Sequence, residues 1–146
     1  MLYFFDTSAL LKRYIPEEGT ATVDNLFLDK PVHISNLTIT ESICVFRRLL
    51  DVKKIISEKE FILLKERIFA DIADGSIEVA GLTAKDIITG VDLLNSCYIT
   101  PLDSLILASA INIKQYNTKT RFICADEKLC KLANQFMTVI NPLEEN

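Results

Sequence analysis

The sequence is poor in the side chains that most often build metal and nucleophile sites. It contains a single histidine, His33, and its cysteines include no Cys-x-x-Cys pair. A zinc site or a disulfide framework therefore cannot be assembled, and a Ser-His-Asp or Cys-His mechanism would depend on His33. Because His33 alternates with Val32 and Ile34 in an apolar run, we predict that it is a strand residue, so any chemistry should use carboxylates. We expect reduced core thiols at Cys44, Cys97, Cys124 and Cys130.

The sequence also lacks a long apolar segment and an excess of basic residues. No run approaches the ~20 apolar residues that span a bilayer, and the first residues have neither the basic flank nor the cleavage site of a signal peptide. We therefore expect a cytoplasmic protein with no membrane association. The 16 Lys and Arg against 20 Asp and Glu give a net charge of -4. This balance argues against coating nucleic acid by bulk charge, although it allows a local basic rim.

No repeat, low-complexity segment or Gly/Ser-rich linker divides the 146 residues, of which 49% are hydrophobic. A chain of this length and composition can bury a cooperative core. We therefore predict one domain over residues 1–146, with a polar tail, Glu144–Asn146, that frays.

Five short and nearly continuous apolar runs predict strands. Segments of helical composition separate them, and strands that are apolar on both sides are typical of a parallel sheet covered by helices on both faces. We therefore predict an α/β fold, a three-layer α/β/α sandwich with a mainly parallel central sheet. The predicted strands cover residues 2–5, 32–35, 77–80, 121–124 and 138–140.

Capping signals predict where the helices begin. A Ser or Thr followed three residues later by an acid forms a capping box, and this pattern predicts helix starts at Thr38, Ser57 and Thr83. Pro101 suits the first position of a helix, and Gly75 suits the end of one. The predicted helices cover about 9–14, 17–29, 38–52, 57–75, 83–94, 102–113 and 126–136.

Four acidic residues occupy strand-end or helix-start positions: Asp6, Glu41, Asp103 and Asp126. In an open parallel sheet such positions gather at the carboxyl edge, so we expect the four to share one pocket. Two carboxylates about 4 Å apart repel by about 4 kcal/mol at an effective dielectric constant of 20, so a cation must neutralise them. Oxygen ligands alone favour Mg²⁺ or Mn²⁺, which can activate water for phosphodiester hydrolysis.

Helix capping offers a second explanation for each of these acids. Glu41 can be the acidic end of a capping box, and Thr100-x-x-Asp103 resembles another such box. Asp126 and Asp6 can be ordinary N-caps. Capping does not explain why acids, rather than Ser or Asn, occupy all four positions. The spacing leaves the metal site and the caps as open alternatives.

The residues around the acids resemble PIN domains, especially the VapC-type toxins of prokaryotic toxin–antitoxin pairs. Residues 6–19, DTSALLKRYIPEEG, resemble the family's opening motif. Residues 40–42, TES, followed by 46–48, FRR, resemble its second acidic motif. Residues 102–110, LDSLILASA, and 124–129, CADEKL, resemble the third and fourth. The four motifs stand in the family's order and span nearly the whole chain.

This resemblance implies a Mg²⁺-dependent ribonuclease, with Mn²⁺ able to substitute, that acts on RNA as the toxin of a toxin–antitoxin pair. Asp6 and Asp103 would be direct metal ligands, and Glu41 and Asp126 would bind through water or complete a second metal position. The Ser8 hydroxyl would support the first carboxylate or a water at the metal. One of the acids would orient the attacking water as general base. The expected partners are a small DNA-binding antitoxin and a second copy of the chain.

The sequence departs from the family pattern at two places. Cys124 stands where many relatives carry Thr or Ser, which weakens the expected support of Asp126. Thr100-Pro101 stands where a basic residue precedes the third acid, which leaves the substrate contacts open. Basic residues that could hold phosphates instead, or form a solvated helix face, are Lys12, Arg13, Arg47 and Arg48.

Other functions compete with a toxin nuclease. A PIN-like domain without activity could bind RNA or act as a scaffold, although the presence of all four acids argues against it. A free-standing RNA-processing nuclease would carry the same residues. A phosphotransfer domain could use Asp6 as a nucleophile, but Ser8 stands where haloacid-dehalogenase enzymes need a second aspartate.

Overall fold

The computed structural model describes residues 1–144, so the predicted fraying of the tail beyond Glu144 lies outside the described residues. The five strands form one sheet in which every neighbouring pair is parallel. The strand order is β3-β2-β1-β4-β5. The predicted fold class is confirmed. The strands are β1 (Leu2–Phe5), β2 (Val32–Ser35), β3 (Ile77–Ala80), β4 (Thr120–Ile123) and β5 (Thr138–Ile140).

Seven helices within residues 1–144 connect and cover these strands. They are α1 (Thr7–Tyr14), α2 (Thr20–Asp29), α3 (Asn36–Asp51), α4 (Glu58–Ala73), α5 (Ala84–Leu93), α6 (Pro101–Lys114) and α7 (Glu127–Ala133). None of the helices in this part of the chain has the length and apolar character needed to cross a membrane.

The sheet separates two apolar cores because successive side chains of a strand point to opposite faces. Phe4 packs with residues of α5, α6 and α7, whereas Phe5 packs with residues of α1, α2, α3 and α4. Both phenylalanines are fully buried. Each buried aromatic side chain contributes about 1.5–3 kcal/mol to folding, so the central strand is anchored from both sides. His33 lies in β2, as predicted, and its Nε2 is 2.9 Å from Glu78.

Several predicted boundaries are wrong. The second helix begins at Thr20 rather than at residue 17, because Gly19 adopts a left-handed conformation with φ 91°. A side chain at Gly19 would also approach Lys12 and Pro142 to 3.1 Å. The fourth strand covers Thr120–Ile123, one residue earlier than predicted. The prediction of four core thiols fails at Cys44, which is exposed.

The capping box predicted at Thr38 and Glu41 is also wrong. Helix α3 begins at Asn36 and is capped by Ser35, whose hydroxyl accepts the N–H of Leu37 at 3.1 Å. Thr38 is therefore inside the helix and fully buried. Glu41 lies in the second turn, so capping no longer accounts for this acid.

The direction in which successive strands are added to the sheet changes at β1. From β1 the chain passes to β2 and β3 on one side, and it then crosses to β4 and β5 on the other. The helices that follow β1 and β4 therefore lie on opposite faces of the sheet, the arrangement that forms a crevice at the carboxyl ends of such strands in open α/β sheets. Asp6 follows β1 directly, and Asp126 caps the helix that follows β4.

Candidate active site

Asp6 is the buried centre of the crevice, with a relative exposure of 3%. It caps α1, and its Oδ1 accepts the N–H of Ala9 at 2.9 Å. The hydroxyl of Ser8 lies 2.8 Å from both carboxylate oxygens. The thiol of Cys124 donates to Oδ2 at 3.2 Å. Asp6 is therefore both the cap of α1 and the buried acid of the crevice.

Burial raises the pKa of Asp6 to about 6, although three hydrogen bonds oppose this rise. The Ala9 N–H, the Ser8 hydroxyl and the Cys124 thiol stabilise the ionised form and lower the pKa. The negative charge of Asp103 raises it further. A positive charge placed beside Asp6 would remove this penalty, because an opposite charge favours the ionised carboxylate.

Ser8 links the two sides of the crevice. Its Oγ accepts the N–H of Ala125, in the connection that follows β4, at 3.0 Å. Since a hydroxyl carries only one proton, that proton is left to donate to the carboxylate of Asp6. Ser8 thus fixes the β1–α1 connection to the β4–α7 connection.

Cys124 contacts Asp6, the first of the four acids, as well as Asp126, the fourth. Its Sγ lies 3.2 Å from Oδ2 of Asp6 and 3.5 Å from the carbonyl oxygen of Asp126. The hydrogen bond with Cys130, the burial of the thiol and the charge of Asp6 all raise the pKa of Cys124. The thiol therefore stays protonated and acts as a donor. Sequence reasoning missed this contact, because it depends on the pairing of β1 with β4.

Asp103 lies in the first turn of α6 and is half-buried. Thr100 is the cap of this helix, since its hydroxyl oxygen accepts the N–H of Asp103 at 3.2 Å. Burial raises the pKa of Asp103, the hydroxyl of Thr100 lowers it, and the charges of Glu41 and Asp126 raise it further. Asp103 therefore lies within electrostatic range of the other three acids.

Glu41 and Asp126 occupy the more open sides of the site. Glu41 is half-buried in α3. Asp126 is exposed and caps α7 by accepting the N–H of Leu129 at 2.9 Å. The capping interpretation of Asp126 therefore describes a real contact. The same residue also contributes negative charge to Asp103, so the two interpretations do not exclude each other.

The four acids do not form a closed ligand cage. In residues 1–144, no group of three or more His, Cys, Asp or Glu side chains converges closely enough to hold a metal ion. The donor set nevertheless fits a hard divalent cation, because all four side chains offer carboxylate oxygens. Burial and the charges of neighbouring acids raise the pKa values of Asp6 and Asp103, so a cation held between them would favour their ionised forms. The site therefore fits a divalent cation through its carboxylate oxygens and its negative charge.

The family model of the PIN domain matches residues 3–135, which include all four acids and Ser8. The chain belongs to the PIN domain family. PIN domains are generally nucleases, and they generally use divalent metals. Both properties agree with the acidic composition of this crevice.

Solved structures support the PIN fold over the whole chain. FitAcB from Neisseria gonorrhoeae matches with 19% identity and a TM-score of 0.69, covering 99% of this chain and 100% of that one. VapBC2 from Rickettsia felis, solved with a DNA fragment from its promoter, matches with 16% identity and a TM-score of 0.66, with coverages of 97% and 98%. A toxin–antitoxin complex from Klebsiella pneumoniae matches with 15% identity and a TM-score of 0.65, with coverages of 98% and 99%. A comparison with curated protein sequences finds no match.

Most of the basic residues near the PIN motifs are occupied by other contacts. Lys12 is buried, and its Nζ donates to Glu17 at 3.0 Å and to the Glu18 carbonyl at 2.8 Å. The guanidinium of Arg13 pairs with Asp71 at 3.0 Å. Arg47 similarly pairs with Asp51 at 2.8 Å and with Glu58 at 3.5 Å. Lys12 and Arg13 therefore stabilise the fold and are poor candidates for binding phosphate, whereas the pairs of Arg47 are exposed and contribute little to stability.

Proposed function

We propose that this PIN domain is a Mg²⁺-dependent endoribonuclease that hydrolyses RNA phosphodiester bonds. The observation that carries the proposal is the position of Asp6. This carboxylate is buried where the strand order reverses, its pKa is raised to about 6, and Asp103 adds to that rise. An arrangement of this kind costs stability unless a cation or a proton compensates it. Binding a hard cation is the use that matches the donor set.

Each residue of the site has a distinct role in this proposal. Asp6 and Asp103 would hold the cation, and Glu41 and Asp126 would complete its surroundings or hold a second one. A Mg²⁺ ion held by these residues would supply positive charge near the departing oxyanion and would lower the pKa of the attacking water. Ser8 keeps Asp6 in place through the two hydrogen bonds described above. A carboxylate that is not fully neutralised accepts the proton of the attacking water as general base.

The biological role that we propose is that of a toxin held inactive by a small DNA-binding antitoxin. The support comes from the similar structures, which include a toxin–antitoxin complex and a VapBC pair bound to promoter DNA. We also propose that the protein acts in the cytoplasm as a homodimer. A free-standing RNA-processing nuclease is the second candidate. An inactive PIN-like scaffold is disfavoured, because Ser8 and the four acids are all present.

A cleavage assay tests the proposed chemistry. Purified protein is incubated with an end-labelled single-stranded RNA in the presence of Mg²⁺, Mn²⁺ or EDTA. We expect cleavage with either metal and none with EDTA. Equal cleavage under all three conditions would contradict a metal-dependent mechanism. Asp103→Asn should abolish cleavage, whereas the matched variant Asp86→Asn, at the same helical position of α5, should not.

A further inference from the structure

RNA needs local positive charge to approach the acidic crevice. The protein carries a net charge of -4, and the four acids add a concentrated negative field where the phosphate must bind. Phosphate groups are normally neutralised by Lys and Arg side chains. Since Lys12, Arg13 and Arg47 form intramolecular contacts, exposed cations that form no ion pair within residues 1–144, among them Arg48, are better placed to receive RNA.

Helix α7 carries two exposed lysines beside the fourth acid. Lys128 and Lys131 are three residues apart, so they lie on the same face of the helix. Together with Asp126 and Glu127 they line a surface cavity of about 460 Å³. Neither lysine forms an ion pair with any carboxylate of residues 1–144. No carboxylate of residues 1–144 therefore neutralises either ammonium group at this rim.

An exposed aromatic ring lies beside Lys128. Tyr98 belongs to the connection between α5 and α6, and 77% of its surface is exposed. The Nζ of Lys128 is 5.0 Å from the centre of the Tyr98 ring. Ile99, the next residue, is buried and anchors the connection, so the ring is held outside the core. The connection leads directly into α6, which carries Asp103.

Tyr98 and Lys128 therefore join the segments that carry two of the acids. One segment leads to Asp103, and the other follows Asp126. An exposed aromatic face beside free ammonium groups is the combination that binds single-stranded nucleic acid, because a base stacks on the ring while cations bind the adjacent phosphates. A base inside a duplex is already stacked on its neighbours, so this surface favours an unpaired nucleotide.

We propose that Tyr98 stacks on an unpaired base of the RNA substrate while Lys128 and Lys131 bind the phosphates next to that base. The inference rests on the proposed ribonuclease function and adds to it the residues that would hold an unpaired nucleotide beside the acidic site. It also assigns a role to the connection before the third acid, where Thr100 and Pro101 offer no positive charge. Tyr98 acts here as a positioning residue, which brings a phosphate to the edge of the site marked by Asp103 and Asp126.

The test measures binding separately from cleavage. A fluorescent single-stranded RNA is titrated with protein in EDTA at low ionic strength, and the affinity is read from fluorescence anisotropy. Tyr98→Ala should weaken binding about tenfold, within the range of a lost base stack. Tyr98→Phe should retain the affinity, because it keeps the ring. Tyr116→Ala is the matched control, since Tyr116 is equally exposed but lies beyond the far end of α6.

The lysines and the strand preference require their own controls. Lys128→Ala combined with Lys131→Ala should weaken binding and reduce its salt dependence. Lys119→Ala should change neither, because Lys119 precedes β4 at the amino ends of the strands. A duplex RNA of the same sequence should bind without dependence on Tyr98. With Mg²⁺ present, Tyr98→Ala should raise KM and leave kcat nearly unchanged.

The outcomes separate this inference from the proposed function. If wild-type protein cleaves RNA but Tyr98→Ala binds it as tightly as wild type, the inference is overturned and the nuclease assignment stands. If binding depends on Tyr98 but no metal permits cleavage, the stacking site stands and the nuclease assignment fails. Light scattering on the same variants tests whether Tyr98 instead contacts another copy of the protein. A change of oligomeric state in Tyr98→Ala, with unchanged RNA affinity, would also overturn the inference.

Discussion

The thiol of Cys124 lies 3.2 Å from Oδ2 of Asp6, although 118 positions separate the two residues. This contact forms because β1 and β4 are adjacent, with Phe5 paired to Ile123 at their carboxyl ends. Asp6 therefore receives hydrogen bonds from both sides of the reversal in strand order. The stability and the protonation of this acid depend on residues at opposite ends of the sequence.

Removing the thiol donor should raise the pKa of Asp6. Cys124→Ala removes a hydrogen bond to the ionised carboxylate, and an interaction of about 1.4 kcal/mol corresponds to about one pKa unit. Cys124→Ser retains a hydroxyl donor and should shift the pKa much less. NMR titration of the Asp6 carboxyl in metal-free protein would measure both shifts. An unchanged pKa in Cys124→Ala would show that the thiol contact contributes nothing to the ionised form.

The metal-free protein should lose stability as the pH rises through the titration of Asp6. The ordinary pKa of an aspartate carboxyl is 3.8, whereas the pKa of Asp6 in the folded chain is about 6. Since the folded state binds this proton more tightly, the contribution is complete below pH 3.8 and disappears as the pH passes about 6. About two pKa units correspond to about 3 kcal/mol.

Asp6→Asn isolates this effect from all other ionisable groups. Chemical unfolding in EDTA at several pH values should show a steeper fall in unfolding free energy between about pH 4 and pH 7 for wild type than for Asp6→Asn. Parallel pH profiles for the two proteins would mean that Asp6 ionises at its ordinary pKa. Saturating Mn²⁺ should stabilise wild type at neutral pH, because it favours the ionised carboxylate.

Substitution of Asp103 separates a metal site from a purely structural role in the first turn of α6. In Asp103→Asn, the repulsion from Glu41 and Asp126 is removed, so stability in EDTA should hold or rise, while stabilisation by Mn²⁺ and RNA cleavage should be lost. Asp86 is the matched control, since it occupies the corresponding position in a complete capping box and accepts the side-chain N–H of Asn112 at 2.8 Å. Asp86→Asn should cost about 1–3 kcal/mol and leave the response to Mn²⁺ intact.

Thermal melting of these variants with EDTA and with Mn²⁺ provides the measurement. A role for Asp103 limited to helix stability predicts a lower melting temperature in EDTA, together with an undiminished gain from Mn²⁺. Asp103→Ala adds a further comparison, because an acid in the first turn of a helix contributes about 0.3–1 kcal/mol whether or not metal is present.

Expression of the protein alone should arrest bacterial growth if it is a toxin. Co-expression of a small neighbouring gene that encodes its antitoxin should relieve the arrest. The double variant Asp6→Asn with Asp103→Asn should permit growth, and Asp86→Asn should behave as wild type. Growth curves after induction, with protein levels checked by immunoblot, give the result. Arrest that persists in the double variant would assign it to something other than nuclease activity.

Local sequence signals predicted the helices whose first residues are set by contacts between residues close together in the sequence. The capping boxes at Ser57 and Thr83 are both complete in the structure. The same pattern at Thr38 failed, because that side chain is buried against Thr7 and the helix starts earlier, at Asn36, with Ser35 as its cap. A capping pattern does not report which of two candidate caps the tertiary structure uses.

The gathering of the acids was predicted in outline but not in detail. Placing Asp6 and Asp126 after strands located them at one edge of the sheet, since parallel strands share that edge. The contacts of Asp6 with Cys124 and of Ser8 with Ala125 required the strand order and the β1–β4 register. The interaction of Tyr98 with Lys128 had no sequence signal, because both lie in segments whose relative positions follow only from the fold.

The central position of β1 also has a consequence for synthesis of the protein. The first strand must pair with β4, and Ser8 must meet Ala125, before the crevice is complete. At about 5–20 residues per second, the ribosome needs about 6–24 s to add the 118 residues that separate Asp6 from Cys124. A nascent chain therefore carries its first acid long before it can assemble the site. Co-translational folding therefore cannot assemble the site until the polypeptide is almost finished.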